Sequence, residues 1–255
     1  MISLLEDVSI AVALFGLLLL SLEAGFRTGR RALHEGESAA SGQVGAIQGA
    51  LLGLLGLLLA FSFAAAGARF LERQDLIVEE ANAIGTAFLR ADLLGEPHRS
   101  ELRRALQRYT EHRIELSAGL RGGLAPGALE EVERLHARIW SAAVGGVDAR
   151  PASMLAVLSP VNEVIDLHAT RLAAGRKHLP WLVLGLLVAC SALAVGVIGY
   201  GCGMGGRRRA PMTVSLAFLI GAGLWVTIDL DHPRAGFLRL SDAPLQALRF
   251  DLPRE

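Results

Sequence analysis

Residues 44–68 read VGAIQGALLGLLGLLLAFSFAAAGA, and no charged side chain interrupts this stretch. A helix that crosses the hydrocarbon core of a bilayer, roughly 30 Å thick, needs about 20 mostly apolar residues. The stretch is longer than that, so it predicts a membrane-spanning helix. Because no proline occurs in residues 44–94, we expect this helix to continue without a break beyond its apolar part.

Three other apolar stretches are long enough, or nearly long enough, to cross a membrane: residues 8–22, 179–200 and 212–228. Ile2, Leu4 and Leu5 can lengthen the first. Its other interpretation is a cleaved signal peptide, but Glu6 and Asp7 stand where such a peptide has basic residues, which favours a retained anchor. Together the four stretches predict an integral membrane protein surrounded by lipid.

The rest of the chain predicts helices and shows no alternation typical of β-strands. Apolar side chains recur at helical spacing in three segments, namely Leu102, Leu106, Tyr109 and Leu116; Leu129, Val132, Leu135 and Ile139; and, after Pro160, Val161, Val164, Ile165, His168 and Leu172. Residues 95–97 and 119–127 predict turns. We therefore predict an all-α fold with four transmembrane helices and a helical extramembrane domain inserted between the second and third spans.

The predicted division has four parts. Residues 1–68 hold the first two spans and a short basic loop, 69–178 the extramembrane domain, 179–228 the last two spans and a second basic loop, and 229–255 a C-terminal tail. The two short loops are marked by their arginines, Arg27, Arg30 and Arg31 in the first and Arg207, Arg208 and Arg209 in the second. Because such residues mark the cytoplasmic side, we predict a multi-pass membrane protein with these loops in the cytoplasm and the helical domain and both termini outside.

Small residues form a stripe in the second span: Gly45, Gly49, Gly53 and Gly56. At 3.6 residues per turn they share one broad face. Helices in lipid associate where small residues let their backbones approach closely. The stripe therefore predicts packing against another span or a neighbouring subunit, and we expect a homo-oligomer.

A narrow polar stripe follows in the same predicted helix: Asp75, Glu79, Asn82, Thr86 and Arg90. The positions on both sides of it are apolar, which is typical of a polar line between two buried faces. In a ring of subunits such a line would face a central aqueous path. The alternative is an ordinary solvent-exposed face with side-chain pairs four residues apart.

Four acidic residues offer oxygen ligands for a divalent cation such as calcium: Glu79, Glu80, Glu163 and Asp166. The alternative is that these acids pair with arginines. Glu80 lies on the more apolar side of its helix, where an unpaired carboxylate is costly, so we expect it to have an arginine partner. His168, among apolar residues, is expected to be a hydrogen-bonded core histidine.

Two further acids, Asp229 and Asp231, directly follow the fourth span. In an oligomer they would form a ring that attracts cations. The other interpretation, which we favour, is that they cap the end of the helix and pair with Arg234.

Several classes of function find no support in the sequence. The Walker, nucleophile-elbow, zinc-protease and dinucleotide-binding motifs are absent, so we predict that the protein is not an enzyme. The 25 basic and 25 acidic residues balance, which argues against nucleic acid as a partner. Cys190 and Cys202 form neither a metal-binding spacing nor a disulfide framework.

Four segments together resemble the bestrophin-like family of bacterial integral membrane proteins. They read GAIQGALLGLLGLLLAFSFAAAGARF (45–70), IVEEANAIGTAFLRADLL (77–94), NEVIDLHATRLAA (162–174) and IDLDHPRAGFLRL (228–240). The family, whose own function is not assigned, is named for a suggested similarity to bestrophins, which are pentameric anion channels with four membrane helices, a large helical domain and a calcium clasp. The resemblance implies an oligomeric channel for inorganic ions in a bacterial inner membrane, with anions preferred. No cofactor is expected, and a calcium site like the bestrophin clasp is the alternative.

Two features depart from bestrophins. The aromatic pattern of the bestrophin pore is not evident, although Phe61 and Phe63 lie in the second span. Bestrophins also keep their large domain in the cytoplasm, against the orientation predicted above. The alternative function is therefore a non-conducting membrane sensor or scaffold whose helical domain binds a partner or ligand.

Overall fold

The computed structural model describes residues 2–35, 41–119, 127–233 and 237–251. Within these residues the secondary structure is helical and contains no strand, which confirms the all-α prediction. The helices are α1 Ile2–His34, α2 Ser41–Arg90, α3 His98–Gly119, α4 Ala128–Ala149, α5 Met154–Arg176, α6 Trp181–Met204, α7 Ala210–Asp231 and α8 Ala243–Asp251. Short 3-10 turns, Ala91–Leu93 and Pro151–Ser153, follow α2 and precede α5.

Four helical segments are long and apolar enough to cross a membrane: Val8–His34, Gln43–Leu93, Pro151–Met204 and Ala210–Asp231. The prediction of four such segments is confirmed. The helix α2 runs from Ser41 to Arg90 without a break, as the absence of proline predicts. The break predicted at residues 95–97 separates α2 from α3, whereas most of the turn predicted at 119–127 lies outside the described residues.

The first helix extends further than its apolar stretch predicts. Arg27, Arg30 and Arg31, which we assigned to a loop, lie in the last turns of α1. Arginine is a good helix former and no proline intervenes, so nothing in this segment ends the helix. The second basic loop is found as predicted, because Arg207 and Arg208 lie between α6 and α7.

The helix α5 begins at Met154, and not after Pro160 as we predicted. Pro160 has no N–H group, so it cannot form the usual helical hydrogen bond to the carbonyl of Ala156. That carbonyl instead accepts a hydrogen bond from Arg90 Nη1 at 2.9 Å. A side chain of α2 thereby satisfies the group that the proline leaves without its helical donor.

The chain divides into two compact units. The first comprises Met1–Ala68 and His178–Leu238, and the second comprises Arg69–Lys177 and Arg239–Glu255. In the first unit, buried side chains of four helices form one apolar cluster: Leu14 and Leu18 of α1, Leu55 of α2, Leu187, Ala194 and Val195 of α6, and Ala217, Ile220 and Leu224 of α7.

Glycines let α1 and α6 touch backbone to backbone. A Cβ atom at Gly25 would lie 1.9 Å from the carbonyl oxygen of Gly196, and one at Gly199 would lie 2.2 Å from the carbonyl oxygen of Leu22. Both distances are far below van der Waals contact, so these positions exclude any larger residue. Close approach at small residues is the way that helices pack in lipid.

The second unit has its own apolar core, built from α3, α4, α5 and the part of α2 that begins at Leu76. Its buried side chains include Ile77, Ile84, Leu102, Leu106, Tyr109, Val132, Leu135, Ile139, Val161 and Val164. The helix α8 adds Leu245, which is fully buried. The segment before α8 is held by Gln74, whose Nε2 donates to the carbonyl of Ser241 at 3.0 Å and whose Oε1 accepts the N–H of Ser241 at 2.8 Å.

Candidate functional site

The small-residue stripe of α2 is exposed on the surface of a single chain. Gly45, Gly49, Gly53 and Gly56 are all exposed, and a Cβ atom at any of them would meet no atom within 4 Å. These glycines therefore make none of the close backbone contacts found at Gly199. Their packing against another subunit stays a prediction.

Large apolar side chains are exposed on a second part of the α2 surface. Leu54, Leu57 and Phe61 are spaced three and four residues apart, so they share one face of the helix. Leu57 is 53% exposed and Phe61 67% exposed, and Phe63 is exposed nearby. Exposed aromatic and aliphatic side chains in a membrane-spanning segment can contact lipid, another subunit or a narrow pore.

The predicted polar stripe lies on the exposed side of α2 in the second unit. Asp75, Glu79, Asn82 and Arg90 are exposed and Thr86 is half-buried. One flank of the stripe, Leu76, Ala83, Ile84 and Ala87, is buried in the core, whereas Val78 and Leu89 on the other flank are exposed. Within one chain the stripe is therefore bordered by a buried face on one side only.

Glu80 is fully buried and has the arginine partners that the sequence predicts. Tyr109 Oη donates to Glu80 Oε1 at 2.6 Å, Arg113 Nε lies 3.0 Å from the same oxygen, and Arg171 Nη1 donates to Oε2. Burial raises the pKa of Tyr109 to about 12, so its hydroxyl keeps its proton and remains a donor. Burial also lowers the pKa of the Arg113 guanidinium.

Two histidines lie beside this buried cluster. The ring of His136 is 5.1 Å from the ring of Tyr109 and 5.1 Å from the ring of His168. Burial, and then the charge of Arg113, lowers the pKa of His136 to about 4. His136 is therefore neutral near pH 7.

The four acids that we predicted as calcium ligands do not gather at one point. Glu79, Glu163 and Asp166 are exposed, while Glu80 is buried among its arginines. Among the residues that the structure describes, these acids form no group of three with ligand atoms close enough for one ion. A calcium site built from them has no geometric support within one chain.

The acids after the fourth span are buried and accept hydrogen bonds from backbone amides. Asp229 accepts the N–H groups of Phe237 and Leu238, each at 2.8 Å. Asp231 accepts the N–H of Leu179 at 2.9 Å. These bonds do not cap the end of α7, because its last carbonyls need donors, whereas both carboxylates accept N–H groups of other segments. The predicted pairing with Arg234 lies outside the described residues.

Sequence reasoning missed two groupings that only the fold assembles. His178, before α6, meets Asp231 and His232 at the end of α7, and the only local signal was the adjacent Asp-His pair. A cleft of about 420 Å³ between α3 and α4 is lined by Glu101, Arg104, Arg108, Arg138 and Ser141 among others. Helical spacing alone would have placed Arg104 and Arg108 on one face of α3.

Comparisons with known proteins agree with this architecture. A bacterial bestrophin homologue from Klebsiella pneumoniae, solved by Zn-SAD phasing, matches with a TM-score of 0.68 and 16% identity, over 92% of this chain and 96% of that chain. A mutant of a bacterial bestrophin homologue from Klebsiella pneumoniae matches with a TM-score of 0.67 and 15% identity, over 92% and 97%. At such identities the likeness shows the fold alone. A separate comparison with curated proteins found no match to the chain.

The family is shown by a separate comparison. The model of the bestrophin-like domain matches residues 10–245, which is nearly the whole chain and includes all four segments that carry the resemblance. The chain is therefore a membrane protein that belongs to the bestrophin-like family.

Proposed function

We propose that this protein is a subunit of an oligomeric ion channel in a bacterial inner membrane, with anions preferred and α2 lining the path. The observation that carries the proposal is the surface of α2. Its glycine stripe, its apolar face at Leu54, Leu57 and Phe61, and its polar stripe apart from Thr86 are exposed in a single chain. A helix that lines a path and contacts neighbouring subunits needs such free faces.

The proposal also assigns a place to each part of the chain. The four apolar segments cross the membrane, and residues 69–178 form a domain outside it, inserted between the second and third spans. The arginine-rich ends of α1 and of the loop before α7 lie in the cytoplasm. Membership of the bestrophin-like family and the fold shared with bestrophin homologues support the channel.

Reconstitution of the purified protein in a planar bilayer tests this proposal directly. We expect the wild type to conduct ions. In a chloride gradient, Glu79→Lys should shift the reversal potential towards the chloride equilibrium potential, because it adds positive charge to the polar stripe. Glu133→Lys, an exposed site on α4, is the matched control and leaves the reversal potential unchanged. Absence of any conductance over a range of voltages and calcium concentrations would refute the channel.

One observation favours the alternative, a non-conducting sensor. The cleft between α3 and α4 is lined by Arg104, Arg108 and Arg138 together with the acid Glu101, a composition that suits an anionic ligand. For a sensor, we expect phosphate or a small dicarboxylate to raise the melting temperature of the wild type. The double variant Arg104→Ala with Arg138→Ala should not show this rise. Neither the wild type nor the double variant should conduct ions.

A further inference from the structure

Three potential metal ligands meet at one end of the first unit, apart from the surfaces used above. His178 lies before α6, and Asp231 and His232 lie at the end of α7. One ring nitrogen from each histidine and one carboxylate oxygen of Asp231 lie within 4.8 Å of one another. We propose that these three residues bind a divalent transition-metal ion of the zinc class.

The spacing of the ligand atoms fits such an ion. In a tetrahedral zinc site, with metal–ligand distances of about 2.0–2.1 Å, neighbouring ligand atoms are about 3.3 Å apart. His178 Nδ1 lies 3.3 Å from Asp231 Oδ2, and His232 Nδ1 lies 3.9 Å from the same oxygen. The first pair already has the required distance, and a small rotation of the exposed His232 ring brings the second to it.

The three side chains make other contacts in the absence of an ion, and binding of a metal would replace some of them. The Asp231 side chain is 0% exposed and accepts the N–H of Leu179. Without an ion, His178 Nδ1 donates to the carbonyl of Asp231 at 3.0 Å, and His232 Nδ1 donates to that of Ile228 at 3.1 Å. A metal bound at these nitrogens would displace their protons and replace both hydrogen bonds. The two rings stack with centroids 4.5 Å apart and planes within 10°, so a rotation of the exposed His232 ring is needed to direct both lone pairs towards one ion.

The donor set selects the class of metal. Two imidazole nitrogens and one carboxylate oxygen suit zinc and its neighbours, whereas calcium prefers six to eight oxygen ligands. The two rings are 39% and 47% exposed, which leaves access for the ion and for water as a fourth ligand. A bound ion would tie the segment before α6 to the end of α7.

Binding of Zn²⁺ to the purified full-length protein in detergent tests the proposal. We measure the affinity by competition with a chromophoric chelator and expect one ion per chain. His178→Ala and His232→Ala should each weaken the affinity by at least about tenfold. With Co²⁺ as the probe, the intense visible absorption of a four-coordinate site should appear in the wild type and be lost in both variants.

His34→Ala is the matched control, because His34 is an exposed histidine of the same unit whose Nδ1 also contacts a carbonyl four residues earlier, at 2.7 Å. Its Zn²⁺ affinity should equal that of the wild type, and Ca²⁺ should not compete. Zinc should also raise the melting temperature of the wild type and of His34→Ala but not of His232→Ala. Equal zinc affinity in the wild type and in His232→Ala would overturn the site, and this result is independent of whether the protein conducts.

Discussion

Glu80 shows at the scale of one residue how the second unit accommodates charge in its core. Its carboxylate sits between Arg113 and Arg171 with Tyr109 as a further donor. Breaking a buried ion pair by removing one partner usually costs about 3–5 kcal/mol, because the remaining charge loses its compensation. We expect Glu80→Ala to lower the free energy of unfolding by that amount, measured by chemical denaturation in detergent.

The neighbouring acid provides the control for this prediction. Glu79→Ala removes the same carboxylate from an exposed position, where surface substitutions usually change stability by less than about 0.5 kcal/mol. If both variants lose the same stability, the buried cluster does not have the role described here.

The low pKa of His136 predicts how the stability of the protein depends on pH. Its pKa falls from 6.5 to about 4 on folding. Between these values the unfolded chain binds a proton that the folded chain does not, so stability falls as pH decreases through this window and is fully retained above it. In His136→Gln this contribution is absent, and thermal melting between pH 4 and 7 should show a shallower loss of stability than in the wild type. Parallel curves for the two proteins would contradict the assignment.

The packing of the helix α1 on the helix α6 depends on glycine. A Cβ atom at Gly199 would overlap the carbonyl of Leu22, whereas one at Gly185 in the same helix would meet nothing within 4 Å. Overpacking costs at least about 1–3 kcal/mol, and here backbone has to move. We expect Gly199→Leu to lower the melting temperature or the yield of folded protein strongly, while Gly185→Leu behaves like the wild type.

The contact between α2 and α5 can be tested by a double-mutant cycle. Arg90 Nη1 donates to the carbonyl of Ala156, which Pro160 leaves without its helical donor. Arg90→Gln should cost about 0.5–1.5 kcal/mol in the wild type. In a Pro160→Ala background the new N–H can take over that carbonyl, so the same change should cost less. Equal costs in both backgrounds would show that the two residues are not coupled.

These elements also show what the sequence can and cannot predict. The apolar period placed Leu102, Leu106 and Tyr109 on one buried face because a helix core repeats every three or four residues. It did not predict α8, a short helix whose burial at Leu245 depends on contacts with distant parts of the chain. The sequence also did not predict the contact of His178 with Asp231, because the two residues lie 53 positions apart in the chain. Local sequence patterns predict which side of a helix is buried, and only the fold shows which of these sides contact each other.

The glycines of α6 and those of α2 predict different effects of substitution on stability and on assembly. Gly199 and Gly203 of α6 pack against the backbone of α1, whereas Gly45, Gly49, Gly53 and Gly56 of α2 face open space. Side chains added at Gly49 and Gly53 can therefore leave the fold of the subunit intact and still block an approaching helix. Assembly of subunits can therefore be tested independently of the stability of one chain.

We expect Gly49→Leu combined with Gly53→Leu to reduce the mass of the particle in detergent, measured by light scattering after size exclusion, because the larger side chains prevent close contact between subunits. The melting temperature should stay near that of the wild type, since neither Cβ atom has a neighbour within 4 Å. Gly185→Leu, exposed on α6, controls for added apolar bulk and should keep the full mass. An unchanged mass in the double variant would mean that α2 does not form the subunit contact, and the path proposed along it would lose its main support.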